Sequence, residues 1–280
     1  MHIPPFDNKN LAIIEENNPD VPLNYFNIVK LDRGEKFTSL VQNYETCIVP
    51  ATGTVEVTVG RTKFESIGLR VQDVWDGEPE CVYVPTRMQS EIKCLSHNAE
   101  VFIAGAKFDK VLEPFAVKAE ELDMIQYGSD ETKTHRKIKH LLGQKQAGKV
   151  GRLLVSELFT VGAGGWSGFP SHKHDTDRIP LETHHDETYN FRFRPKHGSG
   201  VQLLQKDNSN IGQAFHIVDG STICLSEGYH PCCCLPGYEM YYFTILGGFS
   251  QRPLIQYFQP SHADQIEKIP GIKAMVEKFK

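Results

Sequence analysis

The sequence predicts an all-β protein made of two antiparallel sandwiches or barrels. Short apolar segments recur through both halves at spacings of about 8–12 residues, and polar turns separate them. A highly charged stretch lies between the two halves. The 280 residues are enough for two domains that each bury a core of their own.

In the first half, the segment "TCIVPATGTVEVTVG" (residues 46–60) contains a β-rich run, a glycine break and an alternation of Val55, Val57 and Val59. This pattern indicates a hairpin. Residues 80–108 continue with short apolar strands between polar turns. The second half repeats the pattern, from "GRLLVSELFTVG" (residues 151–162) to "EMYYFTILGGFSQ" (residues 239–251).

Residues 120–151 are the most charged part of the chain and contain few β-branched residues. Such composition favours a linker with one short helix. The sequence therefore predicts an amino-terminal domain over residues 1–115, a linker over residues 116–150 and a carboxyl-terminal domain over residues 151–280.

Charge and composition exclude several classes of function. With 30 Lys and Arg against 35 Asp and Glu, and a net charge of -5, the chain lacks the basic surface that nucleic-acid binding requires. No apolar run approaches the length of a membrane span, and the amino terminus does not resemble a signal peptide. We therefore expect a cytoplasmic protein that acts on a small molecule, binds neither nucleic acid nor membrane, and can form a homo-oligomer.

The seven cysteines do not indicate a disulfide framework or a zinc site. Their number is odd, and the four outside the "PCCC" run lie in apolar strand segments. In "PCCC" (residues 231–234), adjacent side chains of an extended chain point to opposite faces and cannot converge on one ion. Free, packed thiols in a reducing compartment are expected.

Candidate metal ligands are concentrated in the segment "SHKHDTDRIPLETHHDETYNFRF" (residues 171–193). His172 and His174 leave the same face of an extended segment, so both imidazoles can share one metal ion. In "DETYNFRF", Glu187 falls on the same face as the apolar alternate residues, where a carboxylate needs a cationic partner. His230, after a glycine turn in "SEGYHP", completes three histidines and one carboxylate, a set suited to Zn²⁺, Mn²⁺, Fe²⁺ or Ni²⁺.

Other residues compete for these roles. Glu182 is the alternative carboxylate ligand, although it lies in a proline-bearing loop. Asp175 could orient a ligand imidazole. His184 and His185 are expected to be solvated loop residues, and the remaining histidines considered are expected at the surface: His97, His135, His140, His197, His216 and His262.

The chain resembles the 5-deoxy-glucuronate isomerase family of inositol catabolism. The motifs that carry the resemblance are "GGWSGFPSHKHD", "DETYNFR", "GYHP" and "GYEMYYFTILGG" in the second half and "TVEVTVG" and "VYVPTR" in the first. This group is related to the 5-keto-4-deoxyuronate isomerases of pectin catabolism. The resemblance implies two tandem cupin domains (double-stranded β-helix, or jelly-roll, folds). It also implies that His172, His174, Glu187 and His230 bind one divalent metal, zinc above all, and that the amino-terminal cupin is metal-free.

The implied reaction is an aldose–ketose isomerisation that converts 5-deoxy-glucuronate to 2-deoxy-5-keto-gluconate. A divalent ion would acidify the C2 proton as a Lewis acid. Glu187 is the candidate base, with a metal-bound hydroxide, a second carboxylate or a hydride shift as alternatives. Candidates for binding the substrate carboxylate are Lys173, Arg178 and Arg192, and candidate hydroxyl donors to the sugar are Tyr189, Tyr241 and Tyr242.

Three other functions remain open at this stage. The chain could be a 5-keto-4-deoxyuronate isomerase, a cupin metal dioxygenase that requires an open coordination position, or a non-catalytic sugar-acid sensor. No appended DNA-binding helices or basic tail support the sensor. Assays on both uronates, with measured metal content and oxygen uptake, distinguish these functions.

Overall fold

Strands make up most of the regular secondary structure in residues 1–279, which are the residues that the computed structural model describes. The chain forms two units. The first unit consists of residues 7–123 and 141–155, and the second of residues 1–6, residues 124–140 and the chain from Ser156 onward. Segment 116–150 is thus divided between the two units.

The first unit consists of a six-stranded sheet in the order β11-β8-β5-β10-β3-β2 and a four-stranded sheet in the order β4-β9-β6-β7. Its strands are β2 (Ala12–Ile14), β3 (Asn24–Asp32), β4 (Lys36–Ser39), β5 (Tyr44–Thr52), β6 (Val55–Val59), β7 (Thr62–Ile67), β8 (Cys81–Val84), β9 (Ser90–Cys94), β10 (Asn98–Lys107) and β11 (Phe115–Val117). All the pairings given for them are antiparallel.

The two strands expected on either side of the glycine break form as β5 and β6, but the expected hairpin was wrong, because β5 pairs with β8 and β10 in one sheet and β6 with β7 and β9 in the other. Val55, Val57 and Val59 are fully buried in the core that both sheets share, while the residues between them are half-buried. The break itself requires glycine: Gly53 has a φ of +81°, and a Cβ there would lie 2.4 Å from the carbonyl oxygen of Asn98.

The second unit contains a four-stranded sheet in the order β15-β21-β18-β19 and the two-stranded pair β16-β23. A seven-stranded sheet has the order β1-β20-β17-β22-β14-β13-β12. These strands are β1 (His2–Ile3), β12 (Asp123–Tyr127), β13 (Arg136–Leu142), β14 (Leu153–Thr160), β15 (Gly165–Ser167), β16 (His172–Lys173), β17 (His185–Arg194), β18 (Ser199–Leu204), β19 (Gln213–Val218), β20 (Thr222–Leu225), β21 (Cys232–Cys234), β22 (Glu239–Gly248) and β23 (Tyr257–Phe258).

Strand β17 positions the centre of this unit because it lies between β20 and β22, with antiparallel pairing to both. Its alternate residues Tyr189, Phe191 and Phe193 enter the core, where Cys232 and Cys234 of β21 also pack. The strand begins at His185, earlier than the alternation indicated. His185 is therefore fully buried, and the expectation that it is a solvated loop residue was wrong.

The segment expected as a linker contains more strand than its composition indicated. Strands β12 and β13 lie in residues 116–150, together with the short 3-10 helices Ala119–Glu121 and Gln144–Gln146. Strand β13 buries charged residues through contacts with distant elements, so its composition resembles that of a solvated segment. His140, expected at the surface, is buried there, with its Nδ1 2.8 Å from the Ser156 hydroxyl.

The remaining helical structure is a 3-10 helix at Pro260–Glu267 and helix α1 at Ile272–Phe279. Among the residues described, no helix combines the length and the hydropathy needed to span a membrane. All seven cysteines are free and only Cys233 is not fully buried, as expected for packed thiols.

Candidate metal centre

Four side chains converge inside the second unit. His172 lies on β16 and His174 directly follows this strand, Glu187 lies on β17, and His230 lies in the turn before β21. The three histidines each offer a ring nitrogen within 4.8 Å of the others. Glu187 Oε2 is 3.0 Å from His174 Nε2 and 3.3 Å from His230 Nε2. All four side chains are buried.

Backbone carbonyls fix the orientation of each imidazole. The Nδ1 atoms of His172, His174 and His230 lie 3.4, 3.2 and 2.7 Å from the carbonyl oxygens of Pro170, His185 and Gly228, respectively. A carbonyl can only accept a hydrogen bond, so each ring has its proton on Nδ1. The three Nε2 atoms thereby face the centre, where His172 Nε2 lies 3.0 Å from the Gln256 side-chain nitrogen and His174 Nε2 lies 3.0 Å from Glu187. Metal-binding histidines are oriented in the same way, by a hydrogen bond at the other ring nitrogen.

This donor set fits a divalent cation. His230 Nε2 is buried and has no hydrogen-bond partner, although it lies beside the Glu187 carboxylate. Two lone-pair-bearing groups in contact repel unless a positive charge lies between them. Three imidazoles and one carboxylate are a suitable ligand set for zinc and for the neighbouring transition metals.

The ionisation of the site also reflects a need for positive charge. Burial lowers the pKa of His172 far below its usual value, and His230 and His174 lower it further. Burial opposes ionisation of Glu187, but the imidazoles of His174 and His230 beside it hold the pKa of the carboxyl well below its usual range. Burial likewise lowers the pKa of His174, but Glu187 more than offsets this, so the net shift is upward.

Two hydroxyl groups hold the Glu187 carboxylate in place. Tyr189 donates to Oε2 at 3.0 Å and Thr244 donates to Oε1 at 2.8 Å. Burial raises the pKa of Tyr189 well above its usual value, and the charge of Glu187 raises it further, so the phenol stays protonated as a donor. Tyr189 therefore lies at the site, where its hydroxyl donates to Glu187, and its hydrogen bond to a sugar oxygen stays a prediction.

Glu182, the competing carboxylate, lies in a different cluster. It is fully buried, and its oxygens accept hydrogen bonds from Lys173 Nζ at 3.0 Å and Arg178 Nε at 2.7 Å. The Asp175 backbone N–H also donates to it at 2.9 Å. Glu182 thus neutralises Lys173 and Arg178, and Glu187 is the carboxylate beside the three histidines.

Lys173 points away from His172 and His174, because adjacent side chains of an extended chain point to opposite faces. Its Nζ lies 2.5 Å from Asp175, 3.0 Å from Glu182 and 3.0 Å from Asp207. Three carboxylates already neutralise this cation. Burial opposes its charge, but the three hydrogen bonds raise the pKa of Lys173 above its usual value.

Asp175 does not contact an imidazole, contrary to the role considered for it. Its Oδ2 accepts the Gly228 N–H at 2.7 Å, and the Gly228 carbonyl in turn accepts from His230 Nδ1. Burial opposes ionisation, but Lys173 and this N–H lower the pKa of Asp175 to about 2. Asp175 thus ties the His174 segment to the turn that presents His230.

A cavity opens at the centre, and four of the expected substrate-binding residues do not line it. Lys173 and Arg178 belong to the carboxylate cluster, where Arg178 also covers the ring of Tyr257 at 4.0 Å. Arg192 donates to Asn190 Oδ1 at 2.6 Å on the opposite side of β17, and Tyr241 donates to Glu157 at 2.9 Å. Arg192 on β17 and Tyr241 on β22 point to the face of the sheet that is opposite the cavity.

The cavity is lined instead by residues that the sequence motifs did not indicate. They come mainly from β12, β13, β22 and the segment around β23, and the polar ones include Tyr127, Arg136, Ser156, Thr244 and Gln256. Tyr242 lines it too, so the neighbour of Tyr241 is the tyrosine that faces the site. In "RKIKHLL" (residues 136–142), Arg136 and Ile138 occupy alternate buried positions, a signal that the inward face begins with an arginine.

The fold and the motifs have known counterparts. The family model described as the KduI/IolB family matches residues 3–265. A 5-deoxy-glucuronate isomerase of Bacillus subtilis (strain 168) is 29% identical over 256 residues, which cover 91% of this chain and 92% of that relative. One from Bacillus velezensis is 31% identical over 236 residues, covering 84% of this chain and 85% of the relative.

Solved structures of similar fold also include a protein of this kind. An IolB-like protein from Salmonella typhimurium LT2 has a TM-score of 0.80 and 25% identity, covering 86% of this chain and 89% of the other. Oxalate decarboxylase from Bacillus subtilis has a TM-score of 0.64 at 9% identity over 100% of this chain and 86% of that protein, a likeness of fold alone. The expected all-β cupin fold is thus confirmed, and the chain belongs to the KduI/IolB family.

Proposed function

We propose that this protein is a metal-dependent aldose–ketose isomerase that converts 5-deoxy-glucuronate to 2-deoxy-5-keto-gluconate in inositol catabolism. One observation carries the proposal: three histidine Nε2 lone pairs and the Glu187 carboxylate converge on one point at the wall of a cavity. Relatives that match most of the chain are named 5-deoxy-glucuronate isomerases.

We assign His172, His174, Glu187 and His230 as the ligands of one divalent ion, zinc in the first place. Such an ion would supply Lewis acidity toward the carbonyl and hydroxyl oxygens of a hydroxy-aldehyde and would thereby acidify the C2 proton. The amino-terminal cupin is proposed to be metal-free. The seven free cysteines support a reducing, cytoplasmic location.

Glu187 is the proposed base. It is the only carboxylate among the described residues that line the cavity. In the reaction it takes the proton from C2 of the aldose and returns it to C1, while the proton of the C2 hydroxyl is transferred to O1. Tyr189 and Thr244 hold both carboxylate oxygens, so the group that moves the proton is fixed before substrate arrives.

An assay with both uronates tests the proposal. The protein is purified without chelator, its metal content is measured, and turnover of 5-deoxy-glucuronate and 5-keto-4-deoxyuronate is compared. We expect about one divalent ion per chain and a preference for 5-deoxy-glucuronate. Protein with metal but no turnover of either uronate contradicts the proposal, and oxygen consumption by that protein would indicate a dioxygenase.

A further inference from the structure

The guanidinium of Arg136 lies on the cavity wall without a counter-charge. Arg136 is 3% exposed, and its terminal nitrogens donate to the hydroxyl groups of Tyr127 at 2.7 Å and Tyr242 at 2.8 Å. Its Nε is buried and has no hydrogen-bond partner. Within residues 1–279, no carboxylate forms an ion pair or a hydrogen bond with Arg136.

This arrangement differs from that of Lys173, another buried cation of the unit. Lys173 is held by three carboxylates, whereas both partners of Arg136 are neutral phenols. Arginine remains protonated in proteins, and a buried charge is costly unless an opposite charge pairs with it. Arginine has five N–H donors, so the two bonds to tyrosine leave three donors for an anion.

The position of Arg136 relates it to the metal centre. Arg136, Tyr242, Tyr189 and Glu187 line the same cavity. The rings of Tyr242 and Tyr189 lie with their centroids 4.6 Å apart, and Tyr189 donates to Glu187 Oε2 at 3.0 Å. Two adjacent phenol rings therefore separate the unpaired guanidinium from the metal-ligating carboxylate.

We propose that Arg136 binds the carboxylate of an acidic sugar whose carbonyl end reaches the metal centre. This inference rests on the proposed function and identifies the residue that binds the carboxylate of its substrate. The planar guanidinium suits bidentate recognition of a carboxylate. Tyr127 and Tyr242 act as positioning residues because their hydroxyl groups fix the plane of the Arg136 guanidinium.

The test uses Arg136→Met, Arg136→Lys and the control Arg194→Met, which removes an exposed arginine at the end of β17 that is paired with Glu239. Binding of D-glucuronate and D-glucose is measured by calorimetry, because these sugars differ only in having a carboxylate or a hydroxymethyl group at C6. Wild-type protein should prefer glucuronate. Arg136→Met should lose this preference through a loss of about 10-fold or more in glucuronate affinity, with glucose unaffected.

Arg136→Lys retains the charge without the planar fork, so it should recover part of the glucuronate affinity. Metal content and melting temperature are measured for each variant, and the Lys variant is decisive if the Met variant does not fold. On 5-deoxy-glucuronate, Arg136→Met should raise KM more than it lowers kcat, because the carboxylate is held equally in ground state and transition state. Arg194→Met should match wild type.

The outcomes separate this inference from the proposed function. A wild-type protein with no preference for glucuronate over glucose, or an Arg136→Met variant with unchanged glucuronate affinity, overturns the carboxylate site while leaving the isomerase proposal intact. Glucuronate binding that depends on Arg136 in a protein with no isomerase activity supports the carboxylate site and removes the proposed reaction.

Discussion

The Nε2 atom of His230 lies 3.3 Å from Oε2 of Glu187, and the proton of this imidazole is on the opposite nitrogen, directed at the Gly228 carbonyl. The other ring nitrogen, Nε2, is buried and faces the carboxylate without a hydrogen-bond partner. Equivalent carbonyl contacts at Nδ1 orient His172 and His174. The backbone thus orients three imidazoles toward one point, as it does for histidines that bind a metal.

The first prediction concerns the ligand set. His174→Ala should lose both the bound metal and activity, whereas His184→Ala should keep both. The His184 ring stacks on Phe249 with centroids 4.0 Å apart and does not contact the ligand atoms. Elemental analysis of protein purified without chelator checks the result. Equal metal loss in the two variants would mean that the histidine pair is assigned incorrectly.

The two buried glutamates give a second prediction. Glu187→Gln should weaken metal binding about 10-fold or more and should lower turnover even in excess metal. Glu182→Gln should retain the metal, and should lower the melting temperature because Lys173 and Arg178 lose a shared partner. Chelator competition and thermal denaturation measure the two effects. Metal loss confined to Glu182→Gln would transfer the ligand role to the loop.

The third prediction tests the hydrogen bond between Gly228 and Asp175, which connects the segment of His174 to the turn of His230. Asp175→Asn should weaken metal binding about 10-fold, the scale of indirect changes around a metal, because the Gly228 turn loses its anchor. Asp207→Asn is the matched control, since it also removes a carboxylate from Lys173 and has no hydrogen bond with Gly228. Metal titration with a competing chelator compares them. Similar losses would assign the effect to Lys173 and not to the turn.

The fourth prediction concerns the path of the proton. In D₂O, the wild-type reaction should place deuterium on the product's hydroxymethyl carbon, which was C1 of the aldose, because a protonated Glu187 exchanges its proton with solvent before returning it. Nuclear magnetic resonance of the product measures the label. A direct hydride shift leaves this hydroxymethyl carbon unlabelled, and that result would remove the role of Glu187 as base without affecting its proposed role as ligand.

Local periodicity was enough to predict the core strands and the convergent histidines. The alternation of Val55, Val57 and Val59 and the shared face of His172 and His174 both follow from the two-residue repeat of a strand. The tertiary partners were not visible in this way. Arg136 is buried because Tyr127 and Tyr242 approach it from other strands, and Lys173 is neutralised by Asp207 from a remote turn.

The six buried thiols resist alkylating reagents while the protein is folded, since only a solvent-accessible thiolate reacts. Burial raises the pKa of Cys47 well above its usual value and that of Cys234 to about 12. A reagent can modify these side chains only after the surrounding strands open, so the labelling rate of each cysteine reports local unfolding around it. Mass spectrometry of labelled peptides would time the two units separately, through Cys47, Cys81 and Cys94 in one and Cys224, Cys232 and Cys234 in the other.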